Sequence, residues 1–309
     1  MTVAHAPGKV ILFGEHAVVY GQPAIAVPVR EVQAEAHIEP RRAGQGTLVH
    51  APDLQRRFLL QEATEDEPLA RIIQLALRAV RQEKEPDLTI TVTSSIPIAR
   101  GMGSGAAVST AIVRALANHF DFWLPSRAIS DLVYQTEVLH HGTPSGIDNT
   151  VVAFEKPVFF IKGTGWEFFW VDKPFLLAIA DTGIDSPTKE VVSDLRQRYE
   201  ADAEHYQPLL EQTGKLVSKA RRAIEQGEYV KVGHLMDENH RLLQDMGVSC
   251  PELDRMVLAA REGGALGAKL SGAGRGGNMI ALVTEATKGR VDMMLRLAGA
   301  TRIIISRVR

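Results

Sequence analysis

A single cysteine, Cys250, stands in the 309 residues. One thiol rules out an intrachain disulfide and fits a reducing compartment. Its plainest reading is a half-buried cysteine at a helix boundary. No apolar run approaches the roughly 20 residues of a membrane span. The stretch from Val10 to Phe13 is cut by Gly14-Glu15-His16, so it does not read as a signal peptide. Charge of one sign is not in excess either: 35 Lys and Arg face 37 Asp and Glu, for a formal net charge of −2. Nothing in that balance points to nucleic acid or an anionic membrane. Low-complexity segments and internal repeats are missing. So is the G-x-x-x-x-G-K-[ST] phosphate loop. Among the histidines, His5, His16, His140 and His141 make no metal spacing with cysteine or carboxylate, so no zinc site is expected. What remains is a chain of 45% hydrophobic and 23% charged residues. Such a chain is expected to be a cytoplasmic globular enzyme of one large or two smaller domains.

The segment Pro97-Ile-Ala-Arg-Gly-Met-Gly-Ser-Gly-Ala-Ala107 is the most informative. An alternating run, Leu88 to Val92, enters it, and a helix-forming run, Ala106 to Asn118, leaves it. Glycines let backbone approach an anion, and the open N–H groups of a helix's first turn point at it. A nucleotide phosphate is the natural occupant.

Elsewhere short strands are predicted at Lys9–Phe13, Ala17–Tyr20, Ala24–Val29 and Val32–Ile38. Apolar spacing predicts helices over Glu67–Arg81 and Ser126–His140. Val151–Ile161 and Gly165–Val171 read as strands. Beyond Pro174, the candidate domain boundary, a buried-type strand (Phe175–Ala180) precedes long helices to Gln244. A helix then starts at Pro251, followed by strands at Ala268–Leu270, Met279–Val283 and Arg302–Val308, with a helix from Gly289 to Leu297. Intermingled strands and helices argue an α+β fold. The expected domains are 1–173 and 174–309.

Two further glycine-rich segments flank this loop. The first is Ala6-Pro-Gly-Lys-Val-Ile-Leu-Phe-Gly-Glu-His-Ala-Val-Val-Tyr-Gly21, and the other is Lys269-Leu-Ser-Gly-Ala-Gly-Arg-Gly-Gly-Asn278. Between lies Gly142-Thr-Pro-Ser-Gly-Ile-Asp-Asn149. Singly, each reads as an ordinary loop. Phosphoryl transfer asks for a cation at the transferring group and a carboxylate at the attacking hydroxyl. Lys9 and Asp148 are the candidates. Alone, Lys9 also reads as an exposed loop lysine and Asp148 as a turn or capping aspartate. A carboxylate beside an ammonium stays ionised and accepts a proton late in the transfer.

Together and in this order, the segments resemble the signature motifs of the GHMP small-molecule kinase superfamily, which includes galactokinase, homoserine kinase, mevalonate kinase and phosphomevalonate kinase. The resemblance runs from Ala6 to Asn278. Within it, Pro7 to Gly21 is most similar to the mevalonate kinases. Galactokinases carry Glu-His-Thr-Asp there, where this chain has Glu15-His16-Ala-Val18.

The resemblance implies a two-domain GHMP kinase fold with its site in the interdomain cleft, and transfer of the γ-phosphoryl of ATP to (R)-mevalonate. A relative acting on phosphomevalonate or another small alcohol is the alternative, but the Glu15–His16 loop carries no added basic residues for a phosphorylated acceptor. A non-catalytic sensor on the same fold would lack the lysine, the aspartate or the metal glutamate, and all three are present. The resemblance assigns catalysis to Lys9 and Asp148, and leaves open whether Asp148 is a base or only orients the hydroxyl. It puts Glu15, His16, Ser145 and Thr188 at the acceptor. His16 offers a donor for a hydroxyl or a carboxylate there, and alone it reads equally as a hydrogen-bonded turn histidine. Helix capping competes for Thr188. ATP would meet Pro97, Arg100, Gly101, Met102, Gly103, Ser104, Gly105, Ala106 and Ala107, with Gly272 and Gly274. Mg²⁺ would meet Glu137, whose alternative is a solvated partner of His141.

Three departures stand out. Where the family has Gly-Leu-Gly-Ser-Ser-Ala-Ala, the second serine is Gly105, so its metal-facing hydroxyl is missing and water or Ser104 fills the position. Arg275 replaces a usual glycine, adding a cation near the expected phosphates, and Asn278 replaces a small residue. The partners implied are small molecules alone, with a homodimer left open.

Overall fold

The computed structural model describes residues 1–64, 66–97, 100–141, 145–186 and 188–309, the side chains of 139–141 excepted. In chain order the elements are β1 (Thr2–Phe13), β2 (Pro23–Pro40), β3 (Leu48–Ala51), β4 (Arg56–Leu59), α1 (Pro68–Ala79), β5 (Leu88–Ser94), α2 (Ser104–His119), α3 (Ser126–His141), α4 (Ile147–Phe154), β6 (Val158–Ile161), β7 (Gly165–Phe168), β8 (Phe175–Asp181), α5 (Thr188–Ala201), α6 (Ala203–Glu225), α7 (Tyr229–Asp245), α8 (Pro251–Glu262), β9 (Gly267–Ser271), β10 (Asn278–Val283), α9 (Lys288–Leu297) and β11 (Arg302–Val308). The α+β expectation holds. None of the described helices is long and apolar enough to cross a membrane.

The chain divides into two compact units, neither of them a continuous stretch. One comprises Met1–Gly8, Val32–Pro97 and Gly103–Glu155; the other comprises Lys9–Glu31, Ile98–Met102 and Lys156–Arg309. Pro174 lies inside the second.

In the first unit β5 pairs antiparallel with the distal half of β2 (Ala36↔Val92) and parallel with β3 (Val49↔Ile90). β3 and β4 form an antiparallel pair. The short strands β3 and β4 escaped sequence reading because they are only four residues each. Helices α1 to α4 pack on one another, and α2 lies on β5. The inward faces carry Ile72, Ile73, Ile112, Leu116 and Val133, all fully buried.

The second unit holds an antiparallel sheet of order β11-β8-β10-β9. Every residue of β8, β9 and β10 is buried. Strands covered on both faces read as continuous apolar runs rather than alternating ones, which is why Phe175–Ala180 was legible as a buried strand. Helices α7 and α8 cover β9, and α9 lies against β8 and β11.

Two sequence expectations give way. Ala17–Tyr20 is a 3-10 turn rather than a strand: His16 at φ 60° and Gly21 at φ 81° fold the chain back at both ends. Residues 151–154 are helical and belong to α4, so only Val158–Ile161 of the expected strand forms. A run of Val and Ile carries no period that separates a short helix from a strand. Cys250 sits at the N-cap of α8 and is half-buried, with Pro251 at the first helical position.

Helix α7 meets β9 through a pair of glycines. A Cβ on Gly233 would overlap Leu266 O and stand 3.0 Å from Gly267 N, and a Cβ on Gly267 would overlap Gly233 O. Gly233→Ala should gain up to about 1 kcal/mol of helix propensity. Against this, forcing two backbones apart costs about 3 kcal/mol. The expected outcome is a net loss of about 2 kcal/mol in urea unfolding. An unchanged or raised midpoint would show that α7 and β9 do not touch there.

Candidate active site

Within the second unit, parts of all three glycine-rich segments meet. The backbone N–H of Lys9 donates to Met102 O at 3.0 Å. Ser271 Oγ donates to Ile11 O at 2.9 Å. A Cβ on Gly101 would lie 3.7 Å from Gly272 Cα, so these two loops touch backbone to backbone. The carbonyl of Arg100 accepts from Asn278 Nδ2 at 2.6 Å. The Asn278 amide thus ties the second segment to the third.

The turn after β1 depends on Gly14. Its φ is +93°, and a Cβ there would sit 2.5 Å from Pro23 O. Only glycine fits. The chain then presents Glu15 and His16 inward. Glu15 is fully buried, and its Oε1 pairs with the equally buried Nζ of Lys269. Lys269 Nζ also donates to Leu270 O at 2.6 Å. Burial raises the Glu15 carboxyl, against the opposing pull of Lys269 and Lys9, and burial lowers the Lys269 ammonium. In the sequence Lys269 reads only as the first residue of the third glycine-rich segment and as part of a strand. A lysine amid the apolar residues of β9 was the available signal.

His16 Nε2 lies 2.8 Å from Ala273 O, and a carbonyl can only accept, so Nε2 carries the proton. Burial drives the ring from its ordinary 6.5 down to about 4, with the charges of Arg198, Arg275 and Lys269 adding to the effect. The ring is therefore neutral, and Nδ1 is an acceptor. Of the two readings, the hydrogen-bonded turn histidine is the one that this geometry matches: its one N–H is spent on Ala273.

The segment after β8 is stitched to the third glycine-rich loop. Ser186 Oγ donates to Gly274 O at 2.8 Å, Thr182 Oγ1 donates to Gly277 O at 2.9 Å, and Gly277 N–H donates to Ile184 O at 2.8 Å. Arg100 reaches the same segment. Its guanidinium lies 3.4 Å from Asp181 and 3.1 Å from Asp185, and Nη2 donates to Gly183 O at 3.1 Å. Thr188 opens α5, exposed, with Oγ1 3.5 Å from Ser186 O. Arg275 pairs with Asp194 on α5, so its charge is engaged there rather than standing free beside a phosphate.

In the first unit the helix α2 begins at Ser104, after Gly103 at φ 70°. Ala106 and Ala107 are buried beneath its first turn. A Cβ on Gly105 would stand 3.3 Å from Glu137 Oε1 on α3, tighter than an ordinary contact. Glycine at 105 is what lets the buried Glu137 carboxylate come so near the helix start. Asp148 is half-buried in the first turn of α4, whose N-cap is Gly146 at φ 89°. Ser145 Oγ accepts from Ile147 N–H at 3.4 Å. The buried Asn149 donates to Ser130 Oγ at 2.9 Å and to Ser130 O at 3.2 Å, fixing α4 on α3 and with it the backbone of Asp148. Asn149 closes the Gly142–Asn149 segment, and its type and spacing alone point to no role there. Residues 142–144, Ile98, Ala99 and Pro187 lie outside the described residues, as does the side chain of His141 expected beside Glu137.

Family models for the N-terminal and C-terminal domains of GHMP kinases match residues 70–156 and 220–292. The mevalonate kinase of Pyrococcus abyssi is 35% identical, over 98% of this chain and 95% of its own. That of Pyrococcus furiosus is 36% identical with the same coverage. The chain belongs to the GHMP kinase family. Among solved structures, L. major mevalonate kinase in complex with R-mevalonate superposes with a TM-score of 0.86 at 28% identity, covering 100% of this chain and 96% of that one. As a GHMP kinase the chain is an ATP-dependent enzyme.

The buried histidines of this GHMP kinase predict a pH response. His240 accepts from Leu270 N–H at Nδ1 (3.3 Å), with Nε2 3.1 Å from Asp254, and burial lowers it to about 4 as well. Unfolding returns each ring to about 6.5, so between 6.5 and about 4 the unfolded chain binds more protons. Stability then falls as pH falls, by up to about 1.4 kcal/mol per pH unit for each ring. Glu15, raised by burial, acts with the opposite sign, so a differential measurement is needed. The advantage of wild type over His240→Gln in urea unfolding should shrink from pH 7 to pH 5. A constant difference would mean that His240 is not buried neutral.

Proposed function

We propose that this enzyme transfers the γ-phosphoryl group of ATP to the primary hydroxyl of (R)-mevalonate, giving 5-phosphomevalonate and ADP. The observation that carries the reading is end-to-end similarity at 35–36% identity to curated mevalonate kinases.

In this reading Asp148 accepts the proton of the attacking hydroxyl. The oxygen bonds to the γ-phosphorus as the bond to the bridging β–γ oxygen breaks. Lys9 offsets charge on the transferring group. His16, neutral, receives a hydrogen bond at Nδ1 from an acceptor hydroxyl. Glu15 supports the acceptor loop through Lys269, and Ser145 and Thr188 line the acceptor. The backbone at Pro97 and from Arg100 to Ala107, with Gly272 and Gly274, cradles the ATP phosphates. Arg100 fixes that loop to the Asp181–Asp185 segment.

A divalent cation suits the donor set: Mg²⁺ is held by one or two protein oxygens, with phosphates and water supplying the rest. Glu137 beside the start of α2, with Ser104, would hold it, and it would neutralise the ATP phosphates. The missing hydroxyl at Gly105 weakens that hold.

Two measurements test the reading. ADP release is followed with (R)-mevalonate, phosphomevalonate and galactose as acceptors. Turnover is expected with mevalonate, and exclusive turnover of another acceptor would overturn the assignment. Asp148→Asn should lower kcat by roughly 100-fold or more with ATP affinity retained. A loss under tenfold would remove Asp148 from the chemistry. Separately, Gly105→Ser supplies the absent hydroxyl, at the cost of a shift in Glu137. The Mg²⁺ concentration for half-maximal activity should fall. An unchanged Mg²⁺ titration would sink the metal assignment of this helix start.

A further inference from the structure

Arg275 occupies a backbone conformation that side chains rarely adopt, φ +54°, between Gly274 and Gly276. Its N–H donates to Val248 O at 2.9 Å. Held in this way, its guanidinium pairs with Asp194 and reaches Gly247 O at 3.4 Å. Asp194 Oδ2 also lies 3.1 Å from Arg198 Nη2, one turn along α5. Arg198 Nη1 donates to Met246 O at 2.7 Å, and its guanidinium lies 5.7 Å from the centre of the Tyr206 ring. A Cβ on Gly247 would come within 2.5 Å of Arg198 Nη1, so a glycine makes room for this guanidinium. Arg198 Nε is buried and meets no hydrogen-bond partner among the described residues. A strained residue held by its surroundings, beside an orphaned donor, marks a position with work to do.

The pair stands beside the acceptor loop. His16 bonds to Ala273, two residues before Arg275. Tyr199, next to Arg198, packs on Tyr20, which ends the turn that His16 begins, with ring centres 4.9 Å apart. The charges of both arginines act on His16. Lys269 is balanced by Glu15, and Arg196 and Glu200, which act on Tyr20, offset each other. Two arginines share the single carboxylate Asp194, which leaves one positive charge in surplus. Both are part-exposed, at 29% and 40% of the side chain.

We propose that Arg198 and Arg275, joined through Asp194, bind the carboxylate of the acceptor and so select an anionic acceptor for this kinase. The proposal rests on the kinase reading above and names the part of the site that recognises the acid end of the substrate. A planar guanidinium matches a carboxylate, and a shared aspartate holds two such forks in register. A neutral polyol offers nothing to the surplus charge.

The test substitutes Arg275→Gly, since glycine adopts this φ without strain, and Arg275→Lys, which keeps the charge. KM and calorimetric Kd are measured for mevalonate, for its uncharged primary amide and for ATP. Arg275→Gly should raise KM and Kd for mevalonate roughly tenfold, with the amide and ATP within about twofold, and Arg275→Lys should recover much of the loss. Equal weakening of acid and amide, or no change for the acid, overturns the proposal. A rise confined to ATP assigns the pair to nucleotide phosphates and overturns it too. Wild type that phosphorylates another acid and not mevalonate sinks the mevalonate reading alone; acid against amide is then read on that acceptor. Wild type that binds no acid overturns both.

Discussion

Glu15 and Lys269 face each other in a region that water does not reach, 254 residues apart in sequence. Neither charge is tolerable there without the other: each loses its hydration, and only their mutual attraction and the bond from Lys269 to Leu270 O offset that loss. A pair of this kind adds little net stability relative to apolar residues, but removing one partner costs about 3–5 kcal/mol. Its value is therefore in register. Gly14, Glu15 and His16 can hold their turn against β9 only when β1 and β9 are aligned as they are. The bonds from Ser271 to Ile11 and from His16 to Ala273 follow from the same alignment.

The rest of the second unit's site hangs from this alignment. The third glycine-rich loop receives bonds from Ser186 and Thr182 on one side and carries Arg275 toward α5 on the other. Its glycines are not interchangeable. Gly274 presses against Val248 O and Gly277 against Ser186 and Arg100 O, so the loop is wedged between neighbours that leave no room for side chains. In the first unit a different device serves the same end. Asn149 pins α4, and Gly105 admits Glu137 to the start of α2.

Much of the fold was legible in the sequence. Helices with a strong apolar stripe, such as Pro68–Ala79, and the wholly buried strand Phe175–Asp181 were found almost to their ends. Errors fell where pattern carries no information. Residues 17–20 and 151–154 are short apolar runs, and what decides them is the left-handed backbone at His16, Gly21 and Gly146. Lys9, Asp148 and Glu137 were chosen because their types and order suit phosphoryl transfer. Lys269, Asn149, Arg198 and Asp194 carry no role legible in the sequence, and Arg275 reads there only as an added cation, since each acquires its meaning from a partner distant in sequence.

By itself the sequence determined the family, the order of its glycine-rich segments and the departures at Gly105, Arg275 and Asn278. These are properties of residue type and local spacing. Tertiary structure alone decided the protonation of His16, which depends on burial and on the carbonyl of Ala273. It alone decided the destination of Arg275's charge, because Asp194 lies 81 residues away. It also gave Gly105 a second meaning: the residue that lacks a hydroxyl is also the one whose missing Cβ brings Glu137 close, and only packing between two helices reveals that.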